Sequence, residues 1–260
     1  MHYHTIDFSV FFGNKINGLT ASGKRISDAQ EDACISNLTA ALSQQLMSSS
    51  LLLPQQQYAP LKSPLVLLQQ IHGTTMHSLT TSDHCTKLAL RSHEGDGLIT
   101  TLSQTAIGVL TADCLPIIFY KKSSHTLAIV HAGWRGLVQN IIEKTLQALG
   151  NTHHNTKDYH IVLGPSARNC CYHVTAEFLD AIPRSHHVSL EKRDTRWYFD
   201  LHAYAQHELT LRNIPASSIH TITTCTICSP TFYSYRREGA QLLQRQVTAA
   251  LLHSKPTDSI

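Results

Sequence analysis

Residues 127–137 have the sequence LAIVHAGWRGL, and this stretch decides how the rest of the chain is interpreted. Four apolar residues are followed by His131, and two glycines then bracket a Trp-Arg pair. A short apolar run of this kind is typical of a buried strand, which here would carry one functional side chain at its end. We expect a strand over 125–130 and a helix over 136–149, with Gly150 as the C-cap of the helix.

Two other stretches have the same layout. The predicted strand 65–71 leads to His72, and the predicted strand 106–111 leads to Cys114. Imidazole and thiolate are ligands that zinc and its neighbours prefer, and three protein ligands leave one position for water or substrate. We predict that strand ends bring His72, Cys114 and His131 together as a catalytic metal site. Spacing alone leaves open a plainer role, as a buried apolar cysteine and hydrogen-bonded histidines.

The composition is that of a globular protein. The chain has 260 residues, of which 42% are hydrophobic and 15% charged, and we expect a single domain over 1–260. The net charge of +3 is nearly balanced and the basic residues are scattered, so nucleic acid is not an expected partner. No stretch has the length of a transmembrane helix or the character of a signal peptide, so no membrane partner is expected. The seven cysteines are therefore expected to be reduced thiols of a cytoplasmic protein.

Strands and helices interleave along the chain, but several strands follow one another closely. This order favours mixed β-sheets in an α+β arrangement over a regular series of parallel units. An N-terminal helix should follow the capping-box spacing of Ser27–Gln30. The other predicted strands are 6–12, 116–120, 159–163, 196–201 and 219–224, and the other predicted helices are 175–182, 203–213 and 239–253.

Seven motifs occur in an order that resembles one known family. They are QIHG (70–73), GDGLIT (95–100), TADCLP (111–116), HAGWRG (131–136), the segment from GPS to CY (164–172), YFDL (198–201) and FYSYRR (232–237). Together they resemble the bacterial YfiH/YlmD-type proteins, also called the laccase-domain or polyphenol-oxidoreductase family. The resemblance covers about residues 6–250, which is nearly the whole chain.

The resemblance implies an α+β, YfiH-like fold in which mixed β-sheets are flanked by helices. It implies one zinc ion per chain, bound by the residues that match the family's ligands, His72, Cys114 and His131. The implied reactions are phosphorolysis of adenosine, inosine, guanosine or methylthioadenosine to base and ribose 1-phosphate, and hydrolytic deamination of adenosine to inosine. The partners are then purine nucleosides and phosphate. The older family name implies instead a copper-dependent phenol oxidase, with Cu²⁺ as the alternative metal.

Several charged residues near the predicted ligands are further candidates for the site. Arg135 stands near a predicted helix start, where free N–H groups and the helix dipole also favour an anion, so we expect it to bind phosphate. A surface arginine beside an acidic neighbour is the alternative. Asp113 precedes the cysteine ligand and is expected to orient a ligating histidine, or else to transfer a proton. Asp96, between two glycines, is expected to be a turn residue, and one of Arg236 and Arg237 is expected to reach the site.

The chain departs from the family pattern at three places. Lys15 stands in an N-terminal loop that usually carries a Thr-Arg pair, and lysine cannot reproduce a bidentate arginine contact. His173 stands at a usually acidic position, and Gln244-Arg245 replaces a Gly-Arg pair in the predicted last helix. These changes leave the three metal ligands in place and bear on substrate preference.

Three other functions are weighed against this interpretation. A cysteine hydrolase would use Cys114 as nucleophile and His131 as base. A copper oxidase would need several copper centres, whereas the sequence contains one His-x-His pair, at His2–His4. An interaction protein that has lost turnover would not need the intact ligands. The Cys225-x-x-Cys228 spacing resembles half a zinc ribbon, but no second pair matches it, so reduced structural thiols are expected.

Overall fold

The computed structural model describes residues 1–5, 7–16, 20–22, 27–48, 61, 63–82, 85, 91–150 and 156–254. The strands are β1 (His2–His4), β2 (Phe8–Phe12), β3 (Thr20–Ser22), β4 (Met76–Leu79), β5 (Gly97–Thr100), β6 (Ala106–Thr111), β7 (Leu115–Lys121), β8 (Thr126–Ala132), β9 (Tyr159–Leu163), β10 (His173–Val174), β11 (Leu190–Arg193), β12 (Arg196–Phe199), β13 (Ile219–Thr221) and β14 (Gln244–Leu252). The α-helices are α1 (Asp28–Ser48), α2 (Trp134–Val138), α3 (Ile141–Ala148), α4 (Ala176–Asp180), α5 (Leu201–Leu211) and α6 (Tyr235–Glu238).

The last long element is a strand, which corrects the predicted helix 239–253. β14 pairs antiparallel with β2, β3 and β6 and so lies inside the five-stranded sheet. Its residues from Gln246 to Leu252 are all buried, because both faces of the sheet are covered. A strand buried on both faces reads as a continuous apolar run, which periodicity cannot distinguish from a buried helix. Its alanines and leucines also favour a helix by intrinsic propensity.

A second sheet of six strands has the order β13-β9-β7-β8-β5-β4. The central pairs β9–β7, β7–β8 and β8–β5 are antiparallel, whereas both edge strands pair in parallel. A third, antiparallel sheet of order β10-β12-β11 is separate from both. The mixture of parallel and antiparallel pairs confirms the predicted α+β class with mixed sheets.

The two large sheets pack face to face, and helices cover their outer faces. On one side, Leu38 of α1 packs in a cluster with Val247 of β14. Between the sheets, Ala250 of the same strand packs in a cluster with Ile118 of β7. Beyond the six-stranded sheet, a third cluster includes Leu146 of α3 and residues of α5. Successive side chains of β14 therefore pack into two different cores, because side chains alternate between the two faces of a strand.

The helix predicted over 136–149 is divided into α2 and α3. The division falls at Asn140, which has a positive φ of 64° and therefore cannot continue the helix. Gly150 also has a positive φ, of 68°, but the C-cap of α3 is Leu149, one residue before the predicted C-cap Gly150. At the N-terminus of α1, Ser27 donates from its hydroxyl to Gln30 at 2.9 Å, in agreement with the capping-box prediction.

The predicted strand 65–71 does not form a regular strand of either large sheet. It makes isolated bridges at Val66 and Gln69 only, although the apolar residues Leu65–Leu68 are all buried. Predicted strand 106–111 is confirmed by β6, and residue 6 of the predicted first strand lies outside the described residues. No helix within the described part of the chain is long and apolar enough to cross a membrane.

One buried histidine should make the stability of the fold depend on pH. His202 of α5 is fully buried and donates from Nε2 to the Gly164 carbonyl at 2.8 Å, while its Nδ1 has no partner among the described residues. Burial, followed by the charge of Arg168, lowers the pKa of His202 to about 4. A proton on Nδ1 would therefore be buried without an acceptor.

We expect the free energy of unfolding to fall between pH 6.5 and pH 4, because over this range the unfolded chain takes up a proton that the folded chain excludes. The shift corresponds to a loss of about 3 kcal/mol. Urea unfolding at several pH values, with a chelator present throughout, measures this. The variant His202→Gln keeps a donor for the Gly164 carbonyl and should lose less stability on acidification. Parallel losses in variant and wild type would contradict the assignment.

Candidate metal centre and its cavity

The three side chains predicted as metal ligands lie together. One ligand atom from each of His72, Cys114 and His131 lies within 4.8 Å of the others. His131 is a buried residue of β8, Cys114 is half-buried in the connection from β6 to β7, and His72 is exposed in the loop before β4. Three separate segments thus supply the cluster, and its composition of two imidazoles and one thiol suits a zinc-like metal.

A glycine leaves the space in which the cluster forms. A Cβ atom added at Gly133 would lie 3.1 Å from Sγ of Cys114 and 3.1 Å from Cδ2 of His72. These distances are shorter than ordinary van der Waals contacts, so a side chain here would displace both ligands. The glycine between His131 and Trp134 is therefore required by the close approach of the ligands.

Asp96 orients two of the three ligands. Its carboxylate accepts a hydrogen bond from Nδ1 of His131 at 2.8 Å and from the backbone N–H groups of His72 at 3.0 Å and Gly73 at 2.7 Å. Asp96 immediately precedes β5, whose Gly97 is paired with the residue before His131, so the sheet register places it beside the ligand. With Nδ1 donating to Asp96, His131 has Nε2 available to the cluster.

This role of Asp96 differs from the predicted one. The carboxylate is fully buried, although the sequence Gly95-Asp96-Gly97 suggested a turn residue. The contact with a histidine of the cluster, which was predicted for Asp113, is made by Asp96. The sequence contained a signal, since a single acidic residue that directly precedes a buried strand is well placed to contact a residue of the neighbouring strand.

Cys114 and His131 influence each other's ionisation. Burial opposes the ionisation of Cys114, but the charge of His131 and hydrogen bonds from both histidines lower the thiol pKa to about 6. Burial likewise disfavours the imidazolium of His131, but the Cys114 thiolate and Asp96 raise its pKa to about 9. Each group therefore favours the charged form of the other in the metal-free protein, and a metal ion that binds both must displace any proton on the ligating nitrogen of His131.

Asp113 anchors a loop. Its carboxylate accepts hydrogen bonds from the hydroxyls of Thr226 at 2.7 Å and Ser234 at 3.0 Å and from the backbone N–H of Arg236 at 2.7 Å. Asp113 has a positive φ of 93°, and its side chain contacts this loop whereas that of Cys114 contacts the histidines. Asp113 therefore fixes the segment 226–236 against the turn that carries the cysteine ligand.

The cluster forms part of the wall of a cavity of about 480 Å³ that four described arginines also line. Arg135 was predicted at this place, and Arg236 is the member of its pair that reaches the site. Arg91 was not predicted, because no motif surrounds it; it is buried and donates to the Ser22 carbonyl at 2.9 Å. Arg245 was noted only as a departure from the family, since the predicted helix obscured its position on β14. The cavity wall is strongly basic.

Four other residues have structural or peripheral positions. Arg237 donates to backbone carbonyls of its own loop, at Thr226, Ile227, Ser229 and Phe232. Lys15 forms an ion pair with Glu238 at 2.9 Å and does not line the cavity. His173 is exposed on β10 and also lies outside the cavity lining. Asp200 caps the N-terminus of α5 and accepts a hydrogen bond from Arg168 at 3.0 Å, so it joins the helix to the segment of Arg168.

Aromatic side chains complete the cavity. Trp134 packs against Phe178 with ring centroids 4.9 Å apart, and the Arg135 guanidinium lies 4.5 Å from the Trp134 ring. The Arg236 guanidinium lies 4.8 Å from the ring of Tyr172. Tyr235 is 53% exposed at the cavity, and the Arg245 guanidinium lies 5.9 Å from the centre of its ring. Cationic and aromatic groups are therefore adjacent, which suits a ligand with both a phosphate and a planar ring.

Two cysteines outside the cluster differ from the expectation of reduced thiols, whereas Cys34, Cys85, Cys170 and Cys225 are reduced as expected. Cys171 and Cys228 form a disulfide across a sequence separation of 57 residues. The first follows β9 and the second follows β13, and these strands pair in parallel. Sequence spacing could not reveal the contact, because it depends on the pairing of two distant strands.

Fold and site together define an α+β protein with an open cluster of two histidines and one cysteine in a basic cavity. Residues 35–252 match the family described as multi-copper polyphenol oxidoreductase laccase. The chain belongs to this family, in agreement with the resemblance carried by the seven motifs. Family membership and the donor cluster both indicate a bound metal ion.

Individual relatives agree with this placement. A protein of Aquifex aeolicus named purine nucleoside phosphorylase is 40% identical over 159 residues, which cover 61% of this chain and 71% of that protein. A protein of an unknown prokaryotic organism, named adenosine deaminase, is 31% identical over 150 residues, or 55% of this chain and 57% of that protein. The crystal structure of Bacillus licheniformis YfiH superposes with a TM-score of 0.73 at 21% identity, covering 94% of this chain and 92% of that one. The superposition confirms the YfiH-like fold.

Replacing Asp96 should weaken metal binding. We expect Asp96→Asn to reduce the affinity for Zn²⁺ about 10–100-fold, because the amide cannot replace a charged acceptor of several N–H groups. Competition with a chromophoric chelator measures this affinity.

Asp158→Asn is the matched control, since Asp158 is also buried and accepts a backbone hydrogen bond from Ser123 at 2.9 Å, but does not line the cavity. This control should bind zinc as the wild type does. An Asp96→Asn variant with wild-type affinity would show that Asp96 does not orient the ligands.

Proposed function

We propose that this protein is a zinc-dependent purine nucleoside enzyme, which carries out phosphorolysis of purine nucleosides and hydrolytic deamination of adenosine. The observation that carries the proposal is that His72, Cys114 and His131 share one cavity with arginine side chains. The names of the relatives, purine nucleoside phosphorylase and adenosine deaminase, support the same substrate class. Adenosine, inosine, guanosine and methylthioadenosine are the proposed nucleosides.

The donor set supports zinc as the metal. Two imidazoles and one thiolate are common zinc ligands, and three protein ligands leave a position for a reactant. The oriented tautomer of His131 and the space beside Gly133 both fit a metal held between the three side chains. Zinc bound there would supply Lewis-acid polarisation for the hydrolytic reaction.

The arginines support phosphate as a co-substrate. Arg135, Arg236 and Arg245 line the cavity, and arginine can hold phosphate through paired N–H donors. Helix α2 is only five residues long, so the guanidinium of Arg135 rather than a helix dipole provides the attraction. The backbone N–H of Arg236 donates to Asp113, which holds the backbone in place. The guanidinium of Arg236 packs over the Tyr172 ring. Phosphate would thus be held by preorganised charges.

The cavity suits a nucleoside in size and in lining. Its volume of about 480 Å³ lies within the range of about 300–1,000 Å³ for small-molecule sites. The exposed ring of Tyr235 is our candidate for stacking on the purine, because aromatic rings favour offset stacking with other planar rings. The base and the phosphate would then lie on neighbouring walls.

The proposed reactions place distinct demands on these residues. In phosphorolysis a phosphate oxygen forms a bond to C1′ of the ribose, the N-glycosidic bond breaks, and the purine nitrogen keeps the electron pair and takes a proton. Arginines that hold phosphate beside C1′ contribute by positioning the nucleophile. In deamination, water adds to C6 of adenosine and ammonia leaves, which requires proton transfers in the cavity. His131 is held for the cluster by Asp96, so it keeps one orientation throughout.

A cysteine hydrolase is the second candidate function. The thiolate–imidazolium pairing of Cys114 and His131 in the metal-free protein is typical of a nucleophilic cysteine. In that case His72 would have no role, and the protein would be active without metal. Inactivation by iodoacetamide at Cys114 in a fully active, metal-free preparation would favour the hydrolase over the nucleoside enzyme.

A multi-copper phenol oxidase fits the donor groups less well. Such an oxidase needs several copper centres with histidine ligands, whereas a single donor cluster containing histidine is found among the described residues. Copper remains a test metal for the His72–Cys114–His131 cluster, and oxidation of a phenol by the copper-loaded protein is the corresponding assay.

Removing the cysteine ligand should abolish both metal binding at this cluster and turnover. We expect Cys114→Ala to lower the zinc content by one ion per chain, because two histidines alone bind zinc weakly, and to remove adenosine phosphorolysis. Elemental analysis and product chromatography measure the two effects. Cys34→Ala, in α1 and away from the cavity lining, is the control and should resemble the wild type. Wild-type phosphorolysis by Cys114→Ala would exclude the proposed site.

Arg135→Ala should raise the KM for phosphate about tenfold or more, because a hydrogen bond to a charged group is worth about 1.5–3 kcal/mol. Arg135→Lys keeps the charge without the paired donors and should be intermediate. Initial rates at varied phosphate, with adenosine saturating, measure the effect. The exposed Arg196, which does not line the cavity, is the control for a simple change of net charge. An unchanged phosphate dependence in Arg135→Ala would exclude this role.

A further inference from the structure

Four cysteines form a second donor cluster. The Sγ atoms of Cys170, Cys171, Cys225 and Cys228 all lie within 4.8 Å of one another. Cys171 and Cys228 form the disulfide described above, and Sγ of Cys170 lies 3.4 Å from Sγ of Cys228. The nucleoside chemistry proposed for the cavity uses none of these sulfurs.

Four sulfurs at this separation match a tetrahedral zinc site. With Zn–S bonds of about 2.3 Å, the sulfurs of a tetrahedral site lie about 3.8 Å apart. We propose that, in the reduced protein, the thiolates of Cys170, Cys171, Cys225 and Cys228 bind a structural zinc ion. Once the disulfide is reduced, small movements of the side chains bring all four sulfurs to the required separation. The zinc-bound and disulfide forms exclude each other, because zinc requires all four sulfurs as thiolates.

The backbone around the cysteines is arranged independently of the sulfurs. The Cys225–Cys228 segment is a turn in which Ser229 N–H donates to the Cys225 carbonyl at 3.0 Å. The segment before Cys171 is also a turn, closed by Cys171 N–H donating to the Arg168 carbonyl at 3.1 Å. A backbone hydrogen bond of 3.0 Å from Thr226 to Ser166 holds the two segments together. Two prearranged turns that present sulfurs to one point are typical of structural zinc sites.

The surroundings suit an anionic centre with an entry route. Zinc with four thiolates carries a negative charge, and the positive charges of Arg168 and Arg193 are close enough to interact with Cys170. Cys225 is buried, whereas Cys170 and Cys228 are exposed. Zinc can therefore reach the cluster from solvent without opening the core.

The position of the cluster explains what a metal would stabilise. One pair of cysteines directly precedes Tyr172, and the other pair begins the segment that ends in Arg236. These two residues line the basic cavity, where the guanidinium lies over the tyrosine ring. A zinc ion that joins the two loops would hold this part of the cavity wall at a fixed separation.

Zinc stoichiometry of the full chain tests the proposal. Protein is reduced with a phosphine, which breaks the S–S bond and becomes a phosphine oxide with oxygen from water while both sulfurs gain protons. Zn²⁺ is added, unbound zinc is removed, and bound zinc is measured by elemental analysis. We expect Cys114→Ala to retain one zinc ion per chain, and Cys114→Ala/Cys170→Ser/Cys225→Ser to retain none. Cys114→Ala/Cys34→Ser is the matched control and should retain one.

Cobalt substitution provides a measurement that does not depend on the buried Cys225. Reduced Cys114→Ala loaded with Co²⁺ should show the intense visible absorption of a tetrahedral thiolate site, and Cys114→Ala/Cys170→Ser should lose most of it. Because Cys170 is exposed, this change should not disturb folding. Absence of bound metal in reduced Cys114→Ala, or equal binding after Cys170→Ser, would overturn the proposal. Either result would leave the proposed nucleoside activity untouched, because that activity is tested by separate assays.

Discussion

The candidate site depends on one buried carboxylate. Asp96 is fully inaccessible to solvent, and a carboxylate is costly to bury unless its oxygens accept hydrogen bonds. Nδ1 of His131 and the backbone N–H groups of His72 and Gly73 supply them. The bonds that satisfy Asp96 therefore also fix one ligand by its ring and another by its backbone. The hydrogen bonds that stabilise the buried charge are thus the same ones that hold the two histidines in place, which couples local stability to the arrangement of the site.

The fold could be predicted where strands are bounded by polar turns. Strand β6 lies where its apolar run predicts it, and the resemblance of the motifs gave the correct fold. The prediction was wrong for β14, because Val247 and Ala250 pack into two different cores. Both faces of the strand are therefore apolar, and the sequence shows no alternation of apolar and polar residues. The stretch 65–71 was misjudged for a related reason. Its apolar residues Leu65–Leu68 are buried in the core, but its backbone pairs with other segments only at two isolated bridges.

The convergence of the three candidate ligands could be anticipated from the sequence, whereas the side-chain contacts that support them could be anticipated only in part. His72, Cys114 and His131 each follow an apolar run, a pattern that a single sequence displays. The contact of Asp96 with His131 arises from the register between β5 and β8, and register is a property of paired strands. The same limit applies to Arg245, which reaches the cavity because β14 is a strand, and to the contact of Cys171 with Cys228.

The turn between β6 and β7 links the metal cluster to the basic wall of the cavity. Asp113 and Cys114 are adjacent, but their side chains contact different groups. The cysteine faces the histidines, while the aspartate holds the backbone of Arg236 and the hydroxyl of Thr226. The separation between the metal ligands and this arginine is thus set by the backbone of two consecutive residues. A reaction that needs a metal and a bound anion at a fixed separation benefits, because the separation is set by the backbone rather than by long, flexible side chains.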